Sequence, residues 1–144
     1  MIVFKHEILR GKTCVVGNCF AEKHLSKMCD KAKELGLLIH ITSSFRKDDN
    51  VKGAIVTPAK RSNHMVGHAI DCNFIENGKT WNSKSLENPT GKVKKLIDYC
   101  ESIGMRWGGR FPNIDTVHFD DGINVNFPDL WASLYNTIKN NDVA

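Results

Sequence analysis

Two histidines and two aspartates in this chain have the types and spacing to build a metal-assisted hydrolytic site. His64 lies seven residues before Asp71, and Asp115 lies three before His118. Asp71 sits in the stretch Ala-Ile-Asp-Cys-Asn-Phe (69–74), which alternates like a half-buried strand. Ile70, Cys72 and Phe74 point one way; Ala69, Asp71 and Asn73 point the other. His118 lies in Thr-Val-His-Phe (116–119), with Thr116 and His118 on one side and Val117 and Phe119 on the other. If these two strands are neighbours, Asp71 and His118 converge. An odd separation on a continuous strand would send His64 to the opposite face. Gly67 between them allows the chain to bend and return His64 to the same side. Two imidazoles and one carboxylate suit zinc at about 2.0–2.2 Å. Three protein ligands leave a fourth position for water, the catalytic arrangement. Asp115, at the loop-to-strand junction, is placed to act as a general base toward such a water. On spacing alone this competes with a plain cluster of partly buried polar groups.

The elements that must position these residues are short. Residues 21–36 read as an amphipathic helix, with Ala21, Leu25, Met28, Cys29, Ala32 and Leu35 on one stripe and Gly36 as its stop. Residues 37–42 (Leu-Leu-Ile-His-Ile-Thr) read as a strand, and so do 68–75. The Asn77-Gly78 pair predicts a hairpin to a short strand near Thr80-Trp81. A second helix is expected over about 90–103 with Val93, Leu96, Ile97, Cys100 and Ile103 on its stripe, closed by Gly104. Pro128 opens a last helix with Leu130, Trp131, Leu134 and Ile138 as its apolar face. The sum is an α+β fold: a small, mainly antiparallel sheet with helices packed on one face.

Three ordered blocks in this sequence resemble a known family. Ser62-x-His64-x-x-Gly67-x-Ala69-x-Asp71 is similar to the S-x-H-x-x-G-x-A-x-D signature of the zinc D-alanyl-D-alanine carboxypeptidases and L-alanyl-D-glutamate endopeptidases, the VanY-like and endolysin group. Trp107-Gly108-Gly109 followed by Asp115-Thr116-Val117-His118-Phe119 resembles its W-G-G…[DE]-x-x-H-F block, and Thr42-Ser43-Ser44-Phe45-Arg46 its T-S-G-[YF]-R element. The resemblance spans roughly residues 20–120. It implies a Hedgehog/DD-peptidase-like zinc fold, with Zn2+ held by His64, Asp71 and His118. It makes Asp115 the base and Arg46 the group that meets substrate or the developing oxyanion; the rival for Arg46 is an ion pair with Asp48 or Asp49. Ser62 would orient the site by a hydrogen bond. Trp107 would either line the site or simply pack. Asp120 would either support a ligand histidine or be an exposed carboxylate. Two departures stand out: Ser44 replaces the usual glycine, and the base position holds aspartate, as in endopeptidase-type members. His68, at a variable motif position, is expected to be exposed, and Trp131 to be core.

The function so implied is hydrolysis of peptidoglycan stem peptides. An L-Ala–D-Glu endopeptidase, as in small endolysins, is preferred. Its alternatives are removal of a terminal D-Ala and a non-catalytic, Hedgehog-like zinc-containing binding module. The specificity loops, about 47–61 and 76–90, carry no readable pattern.

The remaining features bound this reading. The chain has 144 residues, which suits one catalytic domain without a separate wall-binding domain. Its net charge of +4 favours anionic partners, and the bacterial wall is one. No basic stripe is interleaved with aromatics, so nucleic acid is not expected as a partner. No stretch approaches the ~20 apolar residues of a membrane span. The start is too short and too interrupted by Lys5, His6 and Glu7 for a secretory signal. The expectation is therefore a monomer made in the cytoplasm that reaches the wall after release. Cys14, Cys19, His24 and Cys29 approach a zinc-knuckle spacing, but the first gap is too long and Cys29 falls on an apolar helix face. All five cysteines are expected to be free thiols.

Overall fold

The computed structural model describes residues 1–47 and 61–141. Among the described residues, eight strands form two sheets. In the smaller, β1 (Ile2–Phe4) pairs antiparallel with β3 (Cys14–Val16). The larger runs β2 (Leu9–Gly11), β4 (Leu38–Ser43), β5 (Ala69–Glu76), β8 (His118–Asp120), β7 (Arg106–Trp107), with β6 (Lys79–Trp81) also on β5. Among the described residues β2–β4 is the one parallel pairing and the others are antiparallel, as expected. The N-terminal strands β1 to β3 were not anticipated. Each is three residues long, too short for alternation to register.

One helical run comprises α1 (Asn18–Phe20), a π-helical segment (Ala21–Leu25) and α2 (Ser26–Leu35), with Gly36 as its left-handed cap. It begins three residues before the expected start, because the unpatterned Asn18-Cys19-Phe20 turn joins it. The second helix, α3, covers Gly91–Ser102. Both helices pack on the same sheet face. Leu25, Met28, Cys29, Ala32, Val93, Leu96, Ile97 and Cys100 form one core with Ile39, Ile41, Ile70, Cys72, Phe74 and Phe119. Phe74 and Phe119 meet edge to face at 5.8 Å, and each fully buried side chain contributes about 1.5–3 kcal/mol. The expected Asn77-Gly78 turn joins β5 to β6, with Glu76 opposite Lys79.

The C-terminal part differs from the sheet-packed helix expected. After the short α4 (Ile123–Asn126), α5 (Pro128–Asn141) packs on the turn Asn63–Val66. Trp131 is buried there with Met65, Val66 and Ile123, and Leu134, Tyr135 and Ile138 lean on them. Leu130 is not part of that face: half of it remains exposed, because Trp131 and its i+4 neighbour Tyr135 turn inward instead.

Candidate metal centre

The site is built on the sheet's other face. Asp71 of β5 and His118 of β8 are register partners, so their side chains leave the same face of adjacent strands. Ile70 and Phe119, one step along, are likewise partners and point into the core. His64 arrives from outside the sheet on the turn Asn63–Val66. That turn starts at Ser62, whose hydroxyl accepts the His64 amide at 3.2 Å. It ends at Gly67, where φ is +73° and a Cβ would also meet the Gly17 amide and Met1. Only glycine combines that conformation with that closeness. The reversal carries the chain from His64 into β5. One ligand atom each from His64, Asp71 and His118 lies within 4.8 Å of the other two.

The hydrogen bonds decide which ring nitrogens face inward. His64 Nδ1 lies 2.7 Å from the Ser44 carbonyl. A carbonyl only accepts, so Nδ1 holds the proton and Nε2 turns a lone pair toward Asp71 Oδ1, 3.2 Å away. His118 is anchored the opposite way: Nε2 donates to Asp120 Oδ2 at 2.6 Å and Nδ1 faces Asp71 Oδ1 at 3.4 Å. Two imidazole lone pairs and a carboxylate therefore converge with no donor supplied by the scaffold among the described residues. That arrangement calls for a cation between them, and the donor set fits a divalent metal such as zinc. A proton meets the same demand in the metal-free chain. Burial opposes a charge on His118, but its bonds to Asp120 and Asp71 outweigh burial and push it up to about 9. Burial likewise opposes the charged form of Asp71, yet the bonds from His118 and His64 hold its carboxyl well below the usual range. Asp71 keeps 18% of its side chain exposed, against 2% for His64, so the cluster opens to solvent on the carboxylate's side.

Asp115 sits on the turn before β8. Its amide donates to the Gly108 carbonyl at 2.9 Å and its carbonyl accepts the His118 amide at 3.1 Å. A Cβ on Gly108 would overlap the Asp115 carbonyl and press on His118 Cβ, so the glycine is there for close approach. Burial and the neighbouring Asp71 raise the Asp115 pKa, while His118, His64 and Arg46 pull it down. The carboxyl thus lies in the field of the whole cluster. Arg46 is fastened by its backbone, whose amide donates to the His64 carbonyl at 3.1 Å. Its Nε is buried without an acceptor among the described residues. Asp48 and Asp49, the rival partners for Arg46, lie outside the described residues, as does most of the first specificity loop.

Other expectations need correction. His68 is not exposed: it is buried, with Nδ1 2.6 Å from Asp121 Oδ2, and so clasps the ligand segment to the exit of β8. Trp107 does not line the cluster. It packs in the core, its ring lies against Gly109, and Nε1 donates to the Thr116 carbonyl at 2.8 Å, bracing the turn that carries Asp115. Ser62 acts on the His64 backbone rather than on its imidazole. Asp120 is buried and bonded to His118, which decides between the two readings of it. Ser44, the departure from glycine, is put to use: its hydroxyl accepts the Val15 amide at 2.9 Å while its carbonyl anchors His64. Arg106, Phe111 and Asn124 were missed, since no motif position marks them.

Over part of the chain, a family model agrees with the resemblance. Residues 56–121 match a family model described as D-alanyl-D-alanine carboxypeptidase. Among solved structures, the L-Ala D-Glu endopeptidase ChiX of Serratia marcescens is similar over 81% of this chain and 93% of its own. The identity is 17% and the TM-score 0.41. No curated protein matches the chain.

Proposed function

We propose, from the premise that residues 56–121 carry the D-alanyl-D-alanine carboxypeptidase family pattern, that this chain is a zinc-dependent peptidase of peptidoglycan stem peptides. The observation that carries the reading is the convergence of His64, Asp71 and His118 lone pairs beside Asp115 and the Nε of Arg46, which has no acceptor among the described residues. The 144 residues are read as one catalytic domain.

His64 Nε2, Asp71 Oδ1 and His118 Nδ1 would hold the ion. Zinc there would polarise the scissile carbonyl and lower the pKa of the attacking water. Asp115 takes the proton of that water as its oxygen bonds to the carbonyl carbon. The same carboxyl then delivers the proton to the leaving amine nitrogen as the C–N bond breaks. Arg46 offers its guanidinium to the oxygen that gains charge, or to a carboxylate of the stem peptide, by charge-assisted bonds. Trp107 and Gly108 hold the Asp115 turn against His118.

The preferred bond is L-Ala–D-Glu, because an aspartate at the base position resembles the endopeptidase-type members. Removal of a terminal D-Ala is the second reading, favoured by the description of the matching family model. Digestion of purified peptidoglycan with mass spectrometry of the new termini tests both. A free L-Ala carboxyl end supports the first and released D-Ala the second. No product leaves a binding module, against which Asp115 and Arg46 beside the cluster both speak.

A further inference from the structure

His118 is oriented by an ionised side chain outside the ligand set, and that side chain is itself held by a residue outside all three sequence blocks. Asp120 is 1% exposed. Its Oδ2 accepts from His118 Nε2 at 2.6 Å and from Arg106 Nη2 at 2.8 Å. Its Oδ1 accepts from Arg106 Nε and from the Gly122 amide, both at 2.8 Å. All four acceptor positions of a buried carboxylate are thus filled, two of them by one guanidinium. Arg106 and Asp120 are register partners on β7 and β8, so the strand pairing itself delivers the fork to the carboxylate.

Arg106 reaches His118 by a second route. Its guanidinium lies 4.9 Å from the ring centre of Phe111, and that ring lies 5.6 Å from the His118 ring. A third contact runs toward the other histidine. Arg106 Nη2 donates to Asn124 Oδ1 at 3.3 Å, and Asn124 exchanges bonds with Asn63, the neighbour of His64.

We propose that Arg106 is a positioning residue: it locks Asp120, and through Asp120 and Phe111 the His118 ring, so that Nδ1 stays aimed at the metal position. This rests on the metal reading given above. Without the fork, Asp120 keeps only the His118 and Gly122 donors and is free to rotate, and the imidazole is free to turn with it. Loss of such an outer partner typically weakens metal binding 10–100-fold. Lysine carries the same charge but cannot span both oxygens.

Zinc affinity, measured by competition with a chromophoric chelator, tests this on Arg106→Gln, Arg106→Lys and Asp120→Asn, with Arg110→Gln as control. Arg110 lies four residues on, stacked on Trp107 and paired with Glu101. Arg106→Gln should bind zinc about 10–100-fold more weakly. Arg106→Lys should fall between it and the parent, and Arg110→Gln should match the parent. The absorption spectrum of the cobalt-substituted protein should shift in Arg106→Gln and not in Arg110→Gln. Arg106→Gln combined with Asp120→Asn should lose no more than the worse single variant, since both act through one carboxylate. Parental zinc affinity in Arg106→Gln overturns the inference, as does a lowered metal-free melting temperature with unchanged affinity and cobalt spectrum. If Arg106→Gln does not fold, the Lys variant decides: parental affinity and spectrum there overturn the inference. A parent that binds no zinc instead overturns the metal reading itself.

Discussion

Asp71 and His118 are direct cross-strand partners, Oδ1 to Nδ1 3.4 Å apart, on the face of the sheet opposite the core. Two ligands of the candidate centre are therefore set by the β5–β8 register. A slip of β8 by one residue would set Asp71 opposite Val117 or Phe119 and turn His118 to the other face.

One zinc per chain is expected in protein purified without chelator, because three lone pairs converge at His64, Asp71 and His118. The ligands come from separate segments, so removing the metal should lower the melting temperature. His118→Ala should abolish stoichiometric binding. Elemental analysis and thermal denaturation with and without chelator check this; a zinc-free chain with full activity contradicts it.

Asp115→Ala should keep zinc and fold while losing about 10²–10⁴ in turnover, the usual share of general acid–base catalysis. Its carboxyl lies in the field of the cluster, while its backbone is what braces His118. Occupancy and rate are to be measured on one sample. Near-normal turnover removes Asp115 from the mechanism, and lost zinc makes it a ligand.

Arg46→Ala should retain zinc and lose activity, since its Nε is buried beside the cluster with no acceptor among the described residues. A loss confined to kcat places the guanidinium on the oxygen that gains charge; a loss confined to KM places it on the substrate. Unchanged kcat and KM would assign Arg46 to the scaffold alone.

Gly108→Ala should damage activity although it replaces no proposed catalytic or ligand residue. The added methyl would meet the Asp115 carbonyl and His118 Cβ, and the Asp115 turn must move. Turnover should fall at least tenfold, since small misplacements of a catalytic group are costly. Retention of parental turnover would show that the turn adapts.

The thiols offer a pH test remote from the site. Cys14, Cys29, Cys72 and Cys100 are buried and Cys19 is exposed. A thiol reagent at neutral pH should find one fast thiol in the native chain and five after denaturation. Burial pushes Cys14 up to about 11 and Cys100 up to about 12, and raises Cys29 and Cys72 as well. A raised pKa means that the folded chain keeps protons that the unfolded chain releases above its ordinary thiol value of 9.0. This contribution to stability is complete below that value and is lost as pH rises toward the folded values. Urea midpoints measured between pH 8 and 10.5 should therefore fall, and fall less in Cys72→Ala relative to its own value at pH 8. A flat profile would count against protonated, buried thiols.

Chain-local patterns determined much of this molecule. Alternation in 69–74 placed Asp71 opposite Ile70 and Cys72, helical spacing located α2 and α3, and Asn77-Gly78 marked the hairpin, because each depends on neighbours a few residues apart. The site was legible for the same reason: His64, Gly67 and Asp71 fall within a single reversal of the chain, and the W-G-G…D-x-x-H-F block carries the turn that holds Asp115 against His118. Tertiary structure alone decided the rest. Whether His68 was exposed, whether Trp107 met the site and what Leu130 covered depended on segments distant in sequence: Asp121, Thr116, and the turn Asn63–Val66 under α5. The Arg106–Asp120 fork was equally hidden, since two residues fourteen positions apart become neighbours only when β7 and β8 pair. Hydrogen bonds across such separations leave no periodic trace in sequence, whereas burial of a strand face or a helix stripe does.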